Sequence, residues 1–257
     1  MSEEQRAILD ETKTHFKVAV DGDVLDGTHL ISHKIELKEE YINASAVRIN
    51  PYPSSPEMQR KINRELDQML QQKVIEPSQS DWSLSTVPVV KPTGEVRLCL
   101  DARRLNDRTK RDAYPLPHQD RILSRVGASR YLSTIDLTKA FLQIPLDPSS
   151  RKYTAFSILG KGLFQFTRLP FGLVNSPATL ARLMDKVLGY GELEPNVFVY
   201  LDDIVVVSDT FEAHIRSLRE VARRLYNANL SINEKVEVLC ETTSLFGIYP
   251  LNGWFAP

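Results

Sequence analysis

The chain of 257 residues has a formal net charge of -1, with 42% hydrophobic and 25% charged residues, as expected for a globular protein of one large or two small domains. Its two widely separated cysteines exclude a disulfide framework and a cysteine-ligated metal site, and no apolar run is long enough to span a bilayer. The near-neutral balance gives no global sign of nucleic-acid binding, although a local basic groove is compatible with it.

The first 50 residues are the least regular part of the sequence. Their periodicity is weak, and the Asp-Gly pairs at 21–22 and 26–27 predict turns between short strands. The start of the chain is acidic and polar, unlike a signal peptide. The five histidines do not cluster, and His29 and His33 are interpreted as surface residues.

A helix and a hairpin are predicted next. The segment from Ser55 to Val74 predicts a helix, because a Ser-Pro pair is typical of a helix start and apolar residues then recur every four positions. Two prolines exclude a helix in the following stretch, which instead predicts strands at 86–90 and 96–100 around a tight turn.

Helices and strands alternate irregularly through the middle of the chain. We predict a helix over 114–126, a strand over 130–137 and a hairpin over 153–169, followed by a helix that begins at Ser176 and ends before Gly189. The order lacks the βαβ regularity of a doubly wound fold, so the pattern indicates a mixed α+β architecture.

The last predicted helix follows the run VYLDDIVVVS. Asp209, with Glu212 three residues later, resembles a capping box and predicts a helix start at that point. Apolar residues at helical spacing then give this helix one buried face.

Two adjacent aspartates, Asp202 and Asp203, stand inside that strongly apolar run. The flanking residues 197–200 and 204–207 predict two strands with the aspartates at the turn. A turn accounts for their backbone but not for the apolar flanks, which would hold the carboxylates rigidly against a sheet. Rigid carboxylates suit a hard divalent cation such as Mg²⁺.

Asp136 ends the predicted strand over 130–137 and is the candidate for a further carboxylate. If this strand neighbours the Asp202–Asp203 hairpin in one sheet, the three side chains converge. Two cations about 3.5–4 Å apart could then hold the attacking and leaving oxygens of a phosphoryl transfer. The alternative for a lone strand-end aspartate is a turn cap.

Four ordered segments of the sequence resemble the reverse transcriptases of gypsy-type LTR retrotransposons. They read VIEPSQSDWSLSTVPVVKPTGEVRLCLDARRLN, IDLTKAFLQIPL, RLPFGLVNSPAT and YLDD, and the resemblance runs from about Ile75 to about Lys235. It implies a right-hand polymerase that copies RNA into DNA. The expected fold is α+β, with fingers and palm, an antiparallel palm sheet with helices packed on one face, and no thumb.

The resemblance also implies domain boundaries. We expect an N-terminal extension over 1–50, fingers with the start of the palm over 51–130, the palm with the catalytic centre over 131–245, and a truncated primer-grip remnant over 246–257. Beyond Lys235 the sequence departs from the family pattern, and no residues remain for the thumb, connection and RNase H domains.

By resemblance, Asp136, Asp202 and Asp203 are the catalytic and metal-binding residues. Asp136 and Asp202 would be the principal ligands of two Mg²⁺ (or Mn²⁺) ions, with Asp203 a lesser ligand. The ions would lower the pKa of the primer 3′-hydroxyl and neutralise charge on the leaving pyrophosphate.

The resemblance further implies a nucleotide-binding set. Phe141 would lie under the incoming sugar and exclude a 2′-hydroxyl; the alternative is a core phenylalanine beside a turn. Lys91 and Arg97 would bind the triphosphate, and Lys235 would protonate pyrophosphate unless it is a solvated surface lysine. The implied nucleotide-binding residues are Lys91, Arg97, Phe141, Gln143, Phe171, Gly172 and Lys235.

Template or primer contacts are implied for Asp101, Arg103, Asn175 and Tyr200. The alternative for Asp101 and Arg103 is a surface ion pair, and the alternative for Asn175 is a helix cap. The expected partners are an RNA or DNA template with its primer and a dNTP, with no membrane. We expect the protein in the cytoplasm, with the nucleus as an additional location, and the sequence does not indicate an oligomeric state.

Two hypotheses of different classes remain open. The first is an RNA-directed DNA polymerase core, either a fragment of a polyprotein or a free-standing product. The second is a catalytically weak or inactive retrotransposon derivative that binds nucleic acid or protein. The intact aspartates favour the first. Another palm-type nucleotidyl transferase, such as a cyclase, lacks support because VRLCLDARRLN has no place there.

Overall fold

The computed structural model describes residues 2–18, 26–92, 94–115, 129–189, 193, 196–200 and 202–240, with side chains as far as residue 233. The chain divides into two compact units. The first comprises Met1–Val18, Leu116–Thr138 and Met184–Pro257, and the second comprises Ala19–Pro115 and Lys139–Leu183.

Helices and strands alternate along the chain, as the sequence predicts. The helices are α1 (Glu3–Lys13), α2 (Pro56–Gln71), α3 (Arg103–Arg108), α4 (Pro148–Arg151), α5 (Ser176–Leu188) and α6 (Phe211–Asn227). The strands are β1 (Ile75–Pro77), β2 (Ser85–Val90), β3 (Val96–Asp101), β4 (Tyr131–Leu137), β5 (Phe156–Ile158), β6 (Gly162–Phe166), β7 (Val197–Tyr200), β8 (Asp203–Ser208) and β9 (Ile232–Cys240).

The first unit is built on a four-stranded antiparallel sheet in the order β7-β8-β4-β9. Strand β8 is buried almost throughout, and Leu132 of β4 packs with Val205 and Val207 in the core. Helix α6 packs against β8 and buries an apolar face that includes Leu218 and Val221. This burial holds β8, and the aspartates at its start, in a fixed position.

The second unit contains two smaller antiparallel sheets. One has the order β1-β6-β5 and the other is the β2-β3 hairpin. Helix α2 packs against β3 through a face that buries Ile62, Leu66 and Met69. Its N-terminus is capped by Ser55, whose hydroxyl accepts from the Met58 amide, with Pro56 as the first helical residue.

The elements predicted from periodicity are confirmed, with α2, the β2-β3 hairpin, β4, the β5-β6 hairpin, α5, β7, β8 and α6 all present. Helix α1 was not predicted; it begins with a capping box in which Ser2 and Gln5 satisfy each other's amides. The predicted cap at Asp209 is wrong, because Thr210 caps α6 by accepting from the Ala213 amide. Most of the helix predicted over 114–126 lies outside the described residues.

The described helices do not include one with both the length and the apolarity to cross a membrane.

The surface interpretation of His33 is wrong, while His29 is exposed as predicted. His33 is buried, with Nδ1 at 2.7 Å from Oγ1 of Thr179. His214 on α6 is buried as well, with Nε2 at 2.7 Å from Oγ of Ser133 on β4. Each neutral imidazole therefore joins two segments of its own unit, His33 in the second unit and His214 in the first.

We expect acid to destabilise the protein through these two histidines. Burial lowers the pKa of each histidine from about 6.5 to about 4. At His33 the negative charge of Asp112 raises the pKa and so opposes part of this effect. The unfolded state then binds more protons, so stability is complete above pH 6.5 and is lost as the pH falls towards 4. Moving from about pH 7.5 to about pH 5 should cost about 2 kcal/mol per histidine.

Chemical denaturation at the two pH values checks this prediction. The double variant His33→Asn, His214→Asn should lose this acid destabilisation, whereas His29→Asn should keep it. An unchanged pH dependence in a folded double variant would contradict the burial argument.

Candidate active site

The adjacent aspartates lie at the tip of the β7-β8 hairpin. Asp202 is in the turn, and Asp203 is the first residue of β8, paired in register with Tyr200 of β7. On the other side of β8, Asp203 is paired with Asp136 near the end of β4. The Leu137 amide donates to the Asp202 carbonyl at 3.2 Å. The structure thus brings the three aspartates together at one end of one sheet.

The apolar run around these aspartates has a structural explanation. Ile204 follows Asp203 directly, Ile135 precedes Asp136, and the two isoleucines are register partners with no solvent exposure. Buried side chains on adjacent strands fix the backbone that carries the carboxylates. The sheet therefore presents the aspartates at one end of its strands and fixes the backbone positions from which their side chains extend.

The electrostatics of this end of the sheet are unfavourable for the protein alone. Burial, followed by the charges of Asp202 and Asp136, raises the pKa of Asp203 to about 6. Burial also raises the pKa of Asp136. The hydrogen bond from Asn233 lowers this pKa, and the negative charge of Asp202 raises it. No described cationic side chain contributes to either shift. A bound cation would relieve this repulsion.

The chemistry of this donor set fits a hard divalent cation, since carboxylate oxygens are the ligands that Mg²⁺ and Mn²⁺ prefer. Within the described ranges, no group of three or more His, Cys, Asp or Glu side chains is placed so that it could hold a metal ion without side-chain movement. The carboxylate of Asp136 is instead engaged by the amide of Asn233. The side chain of Lys235, on the same strand as Asn233, lies outside the described residues.

In the second unit, three of the predicted nucleotide-binding residues form one stack. The rings of Phe141 and Phe171 meet edge to face, with centroids 5.3 Å apart at 86°. The Arg97 guanidinium lies 5.2 Å from the centroid of the Phe171 ring. Such contacts restrict the rotamers of all three side chains. Phe171 therefore links the predicted sugar-contacting ring to a predicted triphosphate-binding cation.

The other predicted nucleotide-binding residues of this unit are placed differently. Lys91 pairs with Glu95 across the β2-β3 turn at 3.3 Å. Gln143 is buried, and its carbonyl accepts from the Thr28 amide at 2.7 Å. A buried glutamine has little surface to offer a ligand in this arrangement.

Asp101 and Arg103 form the ion pair that was the alternative to a template contact. Arg103 donates through Nε to Oδ1 at 2.8 Å and through Nη2 to Oδ2 at 2.7 Å, and Tyr52 also donates to Asp101. The hydrogen bond from Arg103 is the main reason that the pKa of Asp101 falls to about 2. The Arg103 side chain is 81% exposed, so it remains accessible.

Asn175 precedes α5, and its side chain makes two hydrogen bonds within the protein. Its Nδ2 donates to the Lys110 carbonyl at 2.8 Å, and its Oδ1 accepts from the Asp112 amide at 3.0 Å. These bonds fasten residues 110–112 beside the start of the helix. The template contact predicted for Asn175 and that predicted for Tyr200 stay predictions.

A close approach between two backbone segments requires glycine at position 172. Gly172 adopts φ +99°, and a Cβ added there would lie 2.9 Å from the Leu100 carbonyl oxygen. The resemblance implies that Gly172 binds the nucleotide, and its described neighbour is the protein's own backbone.

Gly172→Ala should destabilise the protein by about 1–3 kcal/mol, because it adds a contact to a left-handed conformation. Gly160 is a matched control: its φ is +72°, but a Cβ there meets no atom within 4 Å. Gly160→Ala should cost only about 1 kcal/mol of conformational strain. Equal free energies of unfolding for the two variants, measured with denaturant, would contradict the steric explanation.

Sequence reasoning missed Asn233, whose side-chain amide donates to Oδ2 of Asp136. The available signal was a polar residue with two donors inside the strand-forming stretch SINEKVEV, close to Lys235. Asparagine is uncommon in strands, so its presence in this strand-forming stretch indicates that its side chain has a specific partner.

Comparison with known proteins identifies related sequences. Residues 89–248 match the family described as "Reverse transcriptase (RNA-dependent DNA polymerase)". The chain is 39% identical over 206 residues to the retrovirus-related Pol polyprotein from transposon opus of Drosophila melanogaster, covering 78% of this chain and 20% of that protein. It is 32% identical to the polyprotein from transposon gypsy of the same organism, covering 76% and 19%. The chain therefore spans about a fifth of these relatives.

Solved structures share the fold. Prototype Foamy Virus protease-reverse transcriptase matches with a TM-score of 0.80 and 29% identity, over 93% of this chain and 31% of that one. The foamy viral enzyme in complex with an RNA/DNA hybrid matches with a TM-score of 0.79 and 26% identity, over 93% and 32%. The expected α+β fold of fingers and palm, with its antiparallel palm sheet, is thereby confirmed.

Proposed function

The chain belongs to the reverse transcriptase (RNA-dependent DNA polymerase) family, and from this premise we propose that it transfers nucleotidyl groups from dNTPs to a primer 3′-hydroxyl on an RNA template. The observation that carries the proposal is the convergence of Asp136, Asp202 and Asp203 at one end of the β7-β8-β4-β9 sheet. Three carboxylates without a described cationic partner destabilise the fold, and proteins commonly keep such a cluster for a functional use.

That use is the binding of divalent cations. Asp136 and Asp202 would hold two Mg²⁺ or Mn²⁺ ions, with Asp203 as a lesser ligand. When bound, such ions activate the attacking hydroxyl and stabilise the leaving pyrophosphate. The contribution of the chain itself is a rigid backbone on both strands, which keeps the carboxylates together despite their mutual repulsion.

The second unit contains side chains whose chemistry is suited to binding a nucleotide. Arg97, held against Phe171, would bind the triphosphate as a planar donor, and Lys91 would add a point charge after leaving Glu95. Phe141 is fixed edge to face by Phe171 and would exclude a 2′-hydroxyl from the sugar position. Lys235 would donate a proton to the pyrophosphate.

A primed template is the proposed partner. The related foamy viral enzyme has been solved with an RNA/DNA hybrid, which supports the same class of ligand here. The exposed guanidinium of Arg103 would contact template phosphate while its partner Asp101 fixes its direction. Asn175 and Tyr200 are the remaining proposed template or primer contacts.

Primer extension tests the proposal. A labelled DNA primer on a heteropolymeric RNA template, with Mg²⁺ or Mn²⁺ and four dNTPs, should be extended in a template-dependent manner. The same primer without template is the control. If extension by the wild type equals that by Asp202→Asn, the chain is not a polymerase, and the binding-module hypothesis replaces this one.

A further inference from the structure

The pairing of β4 with β9 is irregular at Asp136. Ile135 lies opposite Val236 and Leu137 lies opposite Ile232, so one residue of β4, Asp136, faces the three residues 233–235 of β9. Extra residues on one strand form a bulge, and bulges re-aim side chains beside functional sites. Here the bulge begins at Asn233.

The bulge points the Asn233 amide at the carboxylate. Nδ2 of Asn233 donates to Oδ2 of Asp136, and Oδ1 of Asn233 accepts from Oγ1 of Thr138 at 2.9 Å. The Thr138 amide also donates to the Ser231 carbonyl at 3.2 Å, which fixes the hydroxyl relative to β9. Because an ionised carboxylate only accepts hydrogen bonds, the amide nitrogen must face Asp136, and the amide oxygen is then left to accept from the Thr138 hydroxyl.

We propose that Asn233 is a positioning residue that holds the Asp136 carboxylate in place for a divalent cation, with the Thr138 hydroxyl anchoring the amide through its oxygen. This inference rests on the proposed function, since it assigns a partner to one of the proposed ligands. Asp202 and Asp203 repel Asp136, so a carboxylate without a donor would rotate away from them. Binding of the cation would then have to return the Asp136 carboxylate to its position beside Asp202 and Asp203.

A neutral amide is well suited to this task. It satisfies one lone pair of the carboxylate without adding a positive charge that would compete with the cation. A carboxylate offers about four lone-pair sites, so one donor on Oδ2 leaves sites for metal coordination. Hydrogen-bond partners of metal-binding carboxylates commonly change affinity by about 10–100-fold when they are removed.

Mn²⁺ binding to the full chain, followed by electron paramagnetic resonance without nucleotide or primer, tests the inference. Asn233→Ala should weaken Mn²⁺ binding about tenfold. Thr138→Val should weaken it less, because the amide still donates to Asp136 but loses the hydrogen bond that anchors its oxygen, and Thr138→Ser should keep wild-type affinity. Asn227→Ala, at the exposed end of α6, is the control and should bind as the wild type does.

A kinetic readout separates positioning from general damage. In primer extension, Asn233→Ala should raise the apparent KM for Mg²⁺ about tenfold while kcat at saturating Mg²⁺ changes little. A purely structural defect would lower kcat and the melting temperature and leave the metal dependence unchanged.

The outcomes distinguish the two proposals. Wild-type Mn²⁺ affinity in folded Asn233→Ala and Thr138→Val, together with loss of binding in Asp136→Asn, would overturn the role of Asn233 and leave the proposed function standing. Tighter binding in Asn233→Ala would show that the amide competes with the cation, which also overturns it. Equal binding by the wild type and Asp136→Asn would remove the metal site and both proposals.

Discussion

Primer extension by Asp202→Asn is expected to fall at least about a thousand-fold below the wild type. The amide keeps the shape of the side chain but removes the negative charge at the hairpin tip, where Asp202 lies beside Asp203 and Asp136. A thousand-fold loss corresponds to about 4 kcal/mol of transition-state stabilisation. Single-nucleotide incorporation under single-turnover conditions measures it.

The matched control is Asp209→Asn, on the exposed turn after β8 in the same unit. It removes one carboxylate of the same type from outside the site, so it should extend primers like the wild type. Because the replaced charge in Asp202→Asn is a source of repulsion, that variant should melt no lower than the wild type. Activity within tenfold of the wild type in a folded Asp202→Asn would contradict its catalytic role.

Phe141→Val should lower the preference for dNTPs over rNTPs by on the order of 100-fold. The phenyl ring is held edge to face against Phe171, so it cannot easily move aside for a 2′-hydroxyl. Removal of the ring opens that space while leaving Arg97 stacked on Phe171. The ratio of kcat/KM values for a dNTP and its matching rNTP gives the effect.

Tyr226→Ala removes an aromatic ring that is 65% exposed on α6, and it should leave sugar selectivity unchanged. Unaltered selectivity in an active Phe141→Val would instead indicate that Phe141 is a core residue beside a turn. A loss of activity towards both sugars would likewise contradict a specific role in sugar exclusion.

Local pattern was sufficient to predict the elements that carry the site. Strand-forming residues on both sides of Asp202 and Asp203 predict the hairpin, because valine and isoleucine fit a buried strand and aspartate fits a turn. The pairing of β4 with β8 depends on contacts far apart in sequence, so Asp136 could be placed beside Asp203 only conditionally. The family resemblance supplied that condition.

Interactions set by tertiary register could not be predicted. Asn233 reaches Asp136 only because β9 is bulged, and nothing in SINEKVEV specifies which residues of the partner strand face the bulge. The burial of His33 likewise depends on Thr179, which is distant in the chain. Helix α1 was missed because its apolar face is short and only the Ser2–Gln5 capping box signals it.

The residues of the second unit illustrate the same division. The sequence identified Arg97, Phe141 and Phe171 as candidates, but their mutual stacking follows from side-chain geometry. For Gly172 the resemblance implied nucleotide binding, whereas the described constraint on this residue is the Leu100 carbonyl. The candidate residues of this unit could be predicted, but the contacts that they make with one another could not.

Cleavage of the chain by bound iron tests most directly whether the three aspartates form one cation site. Fe²⁺ in place of Mg²⁺, with ascorbate and peroxide, releases hydroxyl radicals that cut the nearby backbone. We expect cuts both beside Asp136 and beside Asp202–Asp203, suppressed by excess Mg²⁺ and absent in Asp202→Asn. Cuts confined to one of these segments, or located elsewhere in the chain, would contradict a shared site.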